Sequence, residues 1–594
     1  MQIQLCIHFG YNAILSFEKS TEFESSTLLI RKMQNAADLP PTQHAVQLIG
    51  AGKLVFNKCK KVLAPGEHQI LCRVEAVGLC FSDLKLLKQF SSHVRKSEIV
   101  SGIDSDILSE IPSYVPNNAP AVPGHETVVT IAAVGPGVKN FKIGQRYIVQ
   151  TDYRWLRTAG SNTAFGYNFE GALQEYVLMD QRIITSPQGD SMLIPVSEKL
   201  SASAAALVEP WACVEDAYAA AERRKLKSDG RMLVVADINI AEDIFTDLFY
   251  SYGSPAQITW LSKFTASAGL NVTEASTANI SQLTEAAYDD VIYFGSEPKT
   301  VEALFAKVAP HGLLNIVLCG GTFRRDIVTM VGRVHYAGIR IVGTTGSDPA
   351  ESMEHIPETA EIRPGDKINV IGAGGPMGMM HVIRNICQKV KGITVFAAEL
   401  DESRLAILSE TVASLAEKNN VAYKPYNPAK AEVADAFDYT VLMVPIPELL
   451  ADSVKNAAEH GIINIFAGLP ATVTAKISLD TYIEKHLYFI GTSGSVLEDM
   501  KRMLAKAESG RLDTNISVGA ICGLDGAIDG IRAVENQSIA GKIIVYPACK
   551  GLGLTPLAKL KEKMPRVAEF LNNGLWTKQA EKKLLESFTG CVDE

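Results

Sequence analysis

Four short segments gather the residue types that hold metals: Gly78-Leu79-Cys80-Phe81-Ser82-Asp83, Pro123-Gly124-His125-Glu126, residues 169–176, and Leu207-Val208-Glu209-Pro210. A catalytic zinc takes three protein ligands of the thiolate, imidazole and carboxylate types and keeps one position open. Cys80, His125 and either Glu126 or Glu209 meet that demand. Each also has an ordinary reading. Cys80 can be a buried thiol ending an apolar strand, His125 can cap a turn, and Glu209 can sit in the first turn of a helix. Spacing alone leaves both readings open.

A second constellation starts with the strand Lys367-Ile368-Asn369-Val370-Ile371 and continues Gly372-Ala373-Gly374-Gly375-Pro376-Met377-Gly378 into an apolar helix over 379–386. A glycine-rich turn between strand and helix lets backbone N–H groups approach a pyrophosphate, and the helix N-terminus adds positive potential. The spacing is GxxGxxG over Gly372, Gly375 and Gly378 rather than GxGxxG. Glu399 follows Gly378 by 21 residues (399 − 378) and closes the strand at 393–398. An acid there accepts hydrogen bonds from both ribose hydroxyls and repels a 2′-phosphate, which favours NAD over NADP despite Arg404 nearby.

The elements that must position these groups fill 594 residues and 64.2 kDa, enough for two to four domains. A net charge of -9 argues against a nucleic-acid or anionic-membrane partner. No run of apolar residues is long enough to span a bilayer. Ten cysteines without a CxxC pair fit reduced thiols, so the expected compartment is cytoplasmic. Residues 1–40 read as an extension, with Met33 an alternative start that would leave 1–32 non-native.

Strand-like alternation begins after residue 45, with Ile70, Cys72, Val74 and Ala76 on one face of a half-buried strand. Residues 128–134 and 146–150 add β segments, and 41–220 reads as a β-rich domain. Beyond it strands and helices alternate, the rhythm of a parallel sheet with crossover helices. The chain also repeats itself. His311-Gly312-Leu313-Leu314-Asn315-Ile316 answers His460-Gly461-Ile462-Ile463-Asn464-Ile465 at an offset of 149 (460 − 311). Ile341-Val342-Gly343-Thr344-Thr345-Gly346-Ser347 answers Phe489-Ile490-Gly491-Thr492-Ser493-Gly494-Ser495 at 148 (489 − 341). This predicts two tandem Rossmann-like, doubly wound units over 226–355 and 360–495, followed by 496–594, a return to the first domain and a helical tail packing outside the core. In the first unit Val234-Val235-Ala236-Asp237-Ile238-Asn239 holds no glycine, and Asp237 puts negative charge where a phosphate would sit. His311 and His460 read as structural.

The segments around Cys80, His125-Glu126, Glu209-Pro210 and Gly372 to Gly378, with the closing strand Gly541-Lys542-Ile543-Ile544-Val545-Tyr546-Pro547, resemble the medium-chain dehydrogenase/reductase superfamily. Within it they are most similar to the zinc-dependent alcohol and polyol branch, over 45–84, 119–225 and 362–547. The resemblance implies an α/β chain with a GroES-like catalytic domain built from both ends and a Rossmann domain between. It implies Cys80, His125, Glu126 and Glu209 at a catalytic zinc, with which glutamate ligates left open, Ser82 as proton relay and Asp83 orienting the histidine. It assigns the dinucleotide to Gly372, Gly374, Gly375, Pro376, Met377, Gly378 and Glu399. The structural-zinc cysteines of the family are absent from 151–170, so a single zinc is expected. Residues 85–118 read as a polar loop, a candidate lid. The implied reaction passes a hydride between a small secondary alcohol or its ketone, a polyol or sugar derivative, and NAD. The alternatives are a threonine or amino-alcohol substrate, or a silent NAD-sensing scaffold. The first unit is expected to act as an intramolecular pseudo-dimer partner for the second.

Overall fold

The computed structural model describes residues 39–589 apart from 242, 267–269, 271, 277–278, 435 and 493; the readings of the N-terminal extension and its start lie outside the described residues.

The alternation after residue 68 forms the strand Gln69–Gly78. It pairs antiparallel with Glu126–Val134 and Tyr176–Asp180, and its last residues meet Lys542–Val545. One eight-stranded sheet is therefore built from both ends of the chain. The strand is buried on both faces rather than half-buried, because Leu71 packs against Val62, Ala133 and Leu178 behind the main core.

Helix α1 (Phe81–Gln89) starts directly after this strand with Cys80 at its N-cap. The segment 85–118 is not a polar loop. Leu86, Leu87, Phe90, Leu108 and Ile111 are buried, and Ile99–Ser101 pairs with Asp152–Thr158. The scattered polar residues mask an apolar set that only tertiary packing brings together. Helix α2 (Val208–Ala219) carries Glu209 in its first turn.

Two six-stranded parallel sheets follow, each in strand order 3-2-1-4-5-6, the doubly wound arrangement. The first unit holds helix α3 (Val331–Tyr336); the second holds α4 (Pro376–Cys387) and α5 (Leu479–Glu484). The copies agree in their irregularities as well as in their order. Register slips between Tyr288 and Asp290 in one and between Phe437 and Tyr439 in the other. His311 and His460 both turn through left-handed backbone, at φ 60° and 58°. Each donates its N–H to a carbonyl at 2.7 Å, of Ala337 and Lys485 respectively.

The copies face each other about a local two-fold. Ile327–Thr329 pairs antiparallel with Ala475–Ile477, and at its centre Val328 meets Lys476, its own duplicate 148 positions on (476 − 328). The helices cross reciprocally: His335 Nδ1 donates to the Ile465 carbonyl at 2.9 Å, and the Tyr482 hydroxyl to that of Ile341 at 2.8 Å. A single apolar core runs through both units.

The tail packs into the core rather than outside it. Trp576, Ala580 and Leu584, four residues apart, form one buried stripe. The Glu581 carboxylate accepts the Ala202 and Ser203 N–H groups and the Tyr546 hydroxyl, so this carboxylate from the tail closes the N-terminus of the helix Ala202–Ala206.

Candidate active site

The pairing of Gly78 with Glu126 joins the sheet to the site. A side chain at Gly78 would start 2.2 Å from Glu126 Oε2, so glycine is required for the carboxylate to lie across the strand end. His125 precedes that strand, and Cys80 stands where the neighbouring chain leaves the sheet for α1. The candidate ligand atoms of Cys80, His125 and Glu126 all lie within 4.8 Å of one another. Among the described residues this is the one such group.

Asp83, one turn into α1, fixes the triangle. Its Oδ2 accepts the Cys80 N–H at 3.0 Å; its Oδ1 accepts the Gly124 N–H at 3.3 Å and lies 3.2 Å from His125 Nδ1. Nδ1 therefore carries the proton, which leaves Nε2 free to ligate. Burial works against the Asp83 anion, but His125 and the Cys80 N–H outweigh it and hold the carboxyl below its ordinary range.

Glu126 is fully buried and its Oε1 pairs with Lys542 Nζ at 2.5 Å. Its Oε2 is buried without any hydrogen-bond partner. A buried carboxylate oxygen left bare is costly unless a cation approaches it. The thiol, the imidazole nitrogen and this orphaned oxygen are a zinc donor set in kind and number. Glu209 does not complete the triangle but stands beside it: burial first, and the Glu126 charge, push its carboxyl up to about 7 against the lowering effect of His125. Ser82 lies half-buried in the first turn of α1.

The second unit presents the glycine turn at the end of its first strand. Gly372 takes φ +86°, and a Cβ at Gly378 would fall 2.3 Å from the Gly372 carbonyl, so α4 packs directly on the turn. Gly375, the N-cap of α4, has nothing within 4 Å of its Cβ position, so the helix N-terminus is left uncovered there, with Pro376 and Met377 in its first turn. Glu399 accepts the Gly374 N–H at 2.9 Å and the Asp401 N–H at 3.1 Å. Arg404 is held elsewhere, donating to the Gln537 carbonyl at 2.6 Å.

The matching place in the first unit presents carboxylates where the second presents its glycine turn. Asp237 Oδ2 accepts the Tyr293 hydroxyl at 2.5 Å, and Glu297 adds a second carboxylate to the rim of a 300 Å³ cavity.

Sequence reasoning missed Lys542 as part of the site: a lysine opening a strand can equally be exposed, as Lys367 is, so no local signal marks it as a buried, paired cation. It also missed Tyr167, whose ring lies 6.1 Å from that of His125 and 5.0 Å from that of His93, with Arg95 stacked on it at 5.8 Å. Nothing in the pattern around residue 167 marks it; only the fold brings it to the site.

Residues 66–188 match the alcohol dehydrogenase GroES-like domain family. An L-sorbose 1-phosphate reductase of Klebsiella pneumoniae is 24% identical over 38% of this chain and 56% of its own length. A mannitol-1-phosphate 5-dehydrogenase of Aliivibrio fischeri is 25% identical over 38% and 58%. The chain thus spans little more than half the length of these relatives. The structure of a 2R,3R-butanediol dehydrogenase from Bacillus subtilis aligns over 85% of this chain and 100% of its own at 15% identity, with a TM-score of 0.48. The similarity to medium-chain alcohol and polyol dehydrogenases read from the motifs holds.

Proposed function

We propose that the protein is a zinc- and NAD-dependent oxidoreductase acting on a secondary alcohol of a polyol or sugar derivative. The observation that carries this reading is the triangle of Cys80, His125 and Glu126, with Asp83 on the far nitrogen of the histidine. When bound, zinc supplies Lewis acidity toward an alcohol oxygen, and NAD takes the hydride.

The chain's own groups do the rest. Asp83 holds the Nδ1 side of His125, which fixes the ring's orientation and leaves Nε2 as the nitrogen that would ligate. Lys542 balances the buried Glu126 charge. Ser82, half-buried in the first turn of α1, is the hydroxyl that would pass the alcohol proton outward, and Glu209 is a neighbouring carboxyl that can hold a proton near neutral pH. The N-terminus of α4 at Gly375 would hold the pyrophosphate, and Glu399, which accepts two backbone N–H groups, would be the acceptor for the ribose hydroxyls. The polyol class is supported by the names of the relatives, which act on a sugar phosphate and a polyol phosphate.

The test is metal content by elemental analysis together with NAD reduction on a panel of polyols. A single zinc per chain, lost in Cys80→Ala and His125→Ala along with turnover, is expected. NAD binding by a protein that retains no zinc in either form overturns the reading.

A further inference from the structure

Three histidines meet where the first α/β unit hands the chain to the second. His355 caps the end of Pro349–Glu354, the last helix of the first unit. His460 lies in the strand Ala457–Ile465 and His486 just before Tyr488–Ile490, the fifth and sixth strands of the second sheet. The rings of His355 and His486 stack face to face, 3.8 Å between centroids and 22° between planes, and that of His460 lies 5.3 Å from both. The linker that leaves His355 also grips this turn near its other end, where Arg363 Nη2 donates to the His460 carbonyl at 3.2 Å.

The cluster is not inherited from the repeat. The counterpart of His486, 148 positions earlier (486 − 338), is Gly338. Both take left-handed backbone, at φ 51° and 64°. A Cβ at Gly338 would stand 2.7 Å from His311 Nδ1, so the His311 ring occupies the place a side chain there would need. The second unit instead holds a histidine in a conformation that costs it more than glycine, at the point where His355 crosses the seam to meet it.

Rings stacked in this way share no nearby point in their planes, so the nitrogens of His355 and His486 do not converge on a metal ion. What the stack requires is neutrality. His486 Nδ1 is buried without a hydrogen-bond partner, so a proton added there meets no acceptor. The carboxylates nearby are exposed: Glu351 and Glu354 on the helix before His355, and Glu459, whose Oε1 lies 3.8 Å from His460 Nε2. Glu351 already accepts the Thr344 hydroxyl at 2.7 Å. Lys485 and Arg363 add positive charge and are bonded to backbone carbonyls. Tyr482 and Tyr488, across a small cavity beside the stack, donate to the Ile341 carbonyl and to Glu222, which Arg340 balances. Burial first, and then the neighbouring imidazoles, lower both His355 and His486 from the ordinary 6.5.

We propose that the imidazole stack is an acid-released latch between the two α/β units. Neutral rings hold the linker 355–366 against the turn at 484–487, and protonation drives them apart. An unfolded histidine takes up its proton near 6.5 and these two resist it until lower pH, so the latch is fully closed above 6.5 and weakens as pH falls below it. The device acts on the seam and does not depend on the reaction assigned to the cleft.

Hydrogen exchange read by mass spectrometry on the full chain tests it, with rates corrected for the intrinsic effect of pH. Peptides covering 355–366 and 484–490 should lose protection by about 10-fold between about pH 7.5 and about pH 5.5, while Gln69–Gly78 in the catalytic sheet keeps its protection. His355→Gln keeps a polar side chain without a titrating ring, and His486→Gly gives the second unit the glycine that the first has at this place. In both, the acid-dependent loss should disappear. The glycine also relieves the left-handed backbone, so His486→Gly decides the matter if His355→Gln does not fold. Protection of these segments that ignores pH in the wild type, or an acid-dependent loss of the same size in the folded variant, overturns the latch.

Discussion

Glu126 and Lys542 form a fully buried ion pair between strands from opposite ends of the chain. Removing one member of such a pair strands the other charge away from water and costs about 3–5 kcal/mol. Lys542→Met should therefore lower the melting temperature of the metal-free protein markedly. Zinc should recover part of the loss, because it would compensate the Glu126 charge that the substitution leaves stranded. Calorimetric melts with and without zinc check this; an unchanged melting temperature in the metal-free variant would refute the pairing.

Asp83 touches both arms of the triangle, through the Cys80 N–H and the His125 ring. Carboxylates that orient a ligating histidine are worth about 10- to 100-fold in metal affinity. Asp83→Asn keeps the shape but not the charge, and zinc affinity measured against a competing chelator should fall by that factor. A fall in catalysis with unchanged affinity would assign Asp83 a different role.

The contrast between what the sequence carried and what it hid follows from distance along the chain. Cys80 with Asp83, His125 with Glu126, and Gly372 with Gly378 are local groupings whose chemistry constrains their neighbours, so they were legible. The tandem repeat was legible because both copies keep the same turns, down to His311 and His460. Lys542 and Tyr167 act across long loops, and no local pattern announces a partner so distant. Residues 85–118 and the tail were misjudged for one reason. Their apolar residues are few and interleaved with charge, yet Leu86, Phe90, Trp576 and Leu584 each find a core in three dimensions.

Glu399 spends both oxygens on backbone N–H groups, of Gly374 and Asp401. NAD must displace those bonds, and its ribose hydroxyls replace donors already accommodated there. A hydrogen bond to a charged group contributes about 1.5–3 kcal/mol, so Glu399→Ala should weaken NAD binding by roughly 10- to 100-fold. The NADP affinity should change less or rise, since the repelling charge is gone. Fluorescence titration with both dinucleotides measures the ratio; a parallel loss for both would remove Glu399 from the discrimination.

Asp216 on α2 faces Asp499 on the helix Leu497–Glu508. Burial and the facing carboxyl raise Asp216 from 3.8 to about 7, and Asp499 is raised as well. The folded state thus keeps a proton that the unfolded chain releases, so stability declines as pH rises from 3.8 to about 7 and levels off above it. Asp216→Asn removes that loss. It should raise the melting temperature by about 2–4 °C near pH 8 and change it little near pH 4. A gain of equal size at both values would contradict the shared proton.

Val328 and Lys476 are duplicates that meet each other, and this is the mark of a two-fold contact folded back inside one chain. A dimer of separate chains joined through the second unit would need the surface that the first unit now covers with α3 and with Ile341, to whose carbonyl Tyr482 donates. The protein should run as a monomer of 64.2 kDa in light scattering at concentrations where a stable dimer would persist. Gly332 gives a way to force the question, since a Cβ there would fall 1.9 Å from the Pro470 carbonyl across the contact. Gly332→Ala should loosen the two units, lower the melting temperature and expose the shared apolar core, so that chains begin to exchange partners and associate. A wild-type dimer, or a Gly332→Ala protein as stable and monomeric as wild type, would show that the internal contact does not stand in for a partner chain.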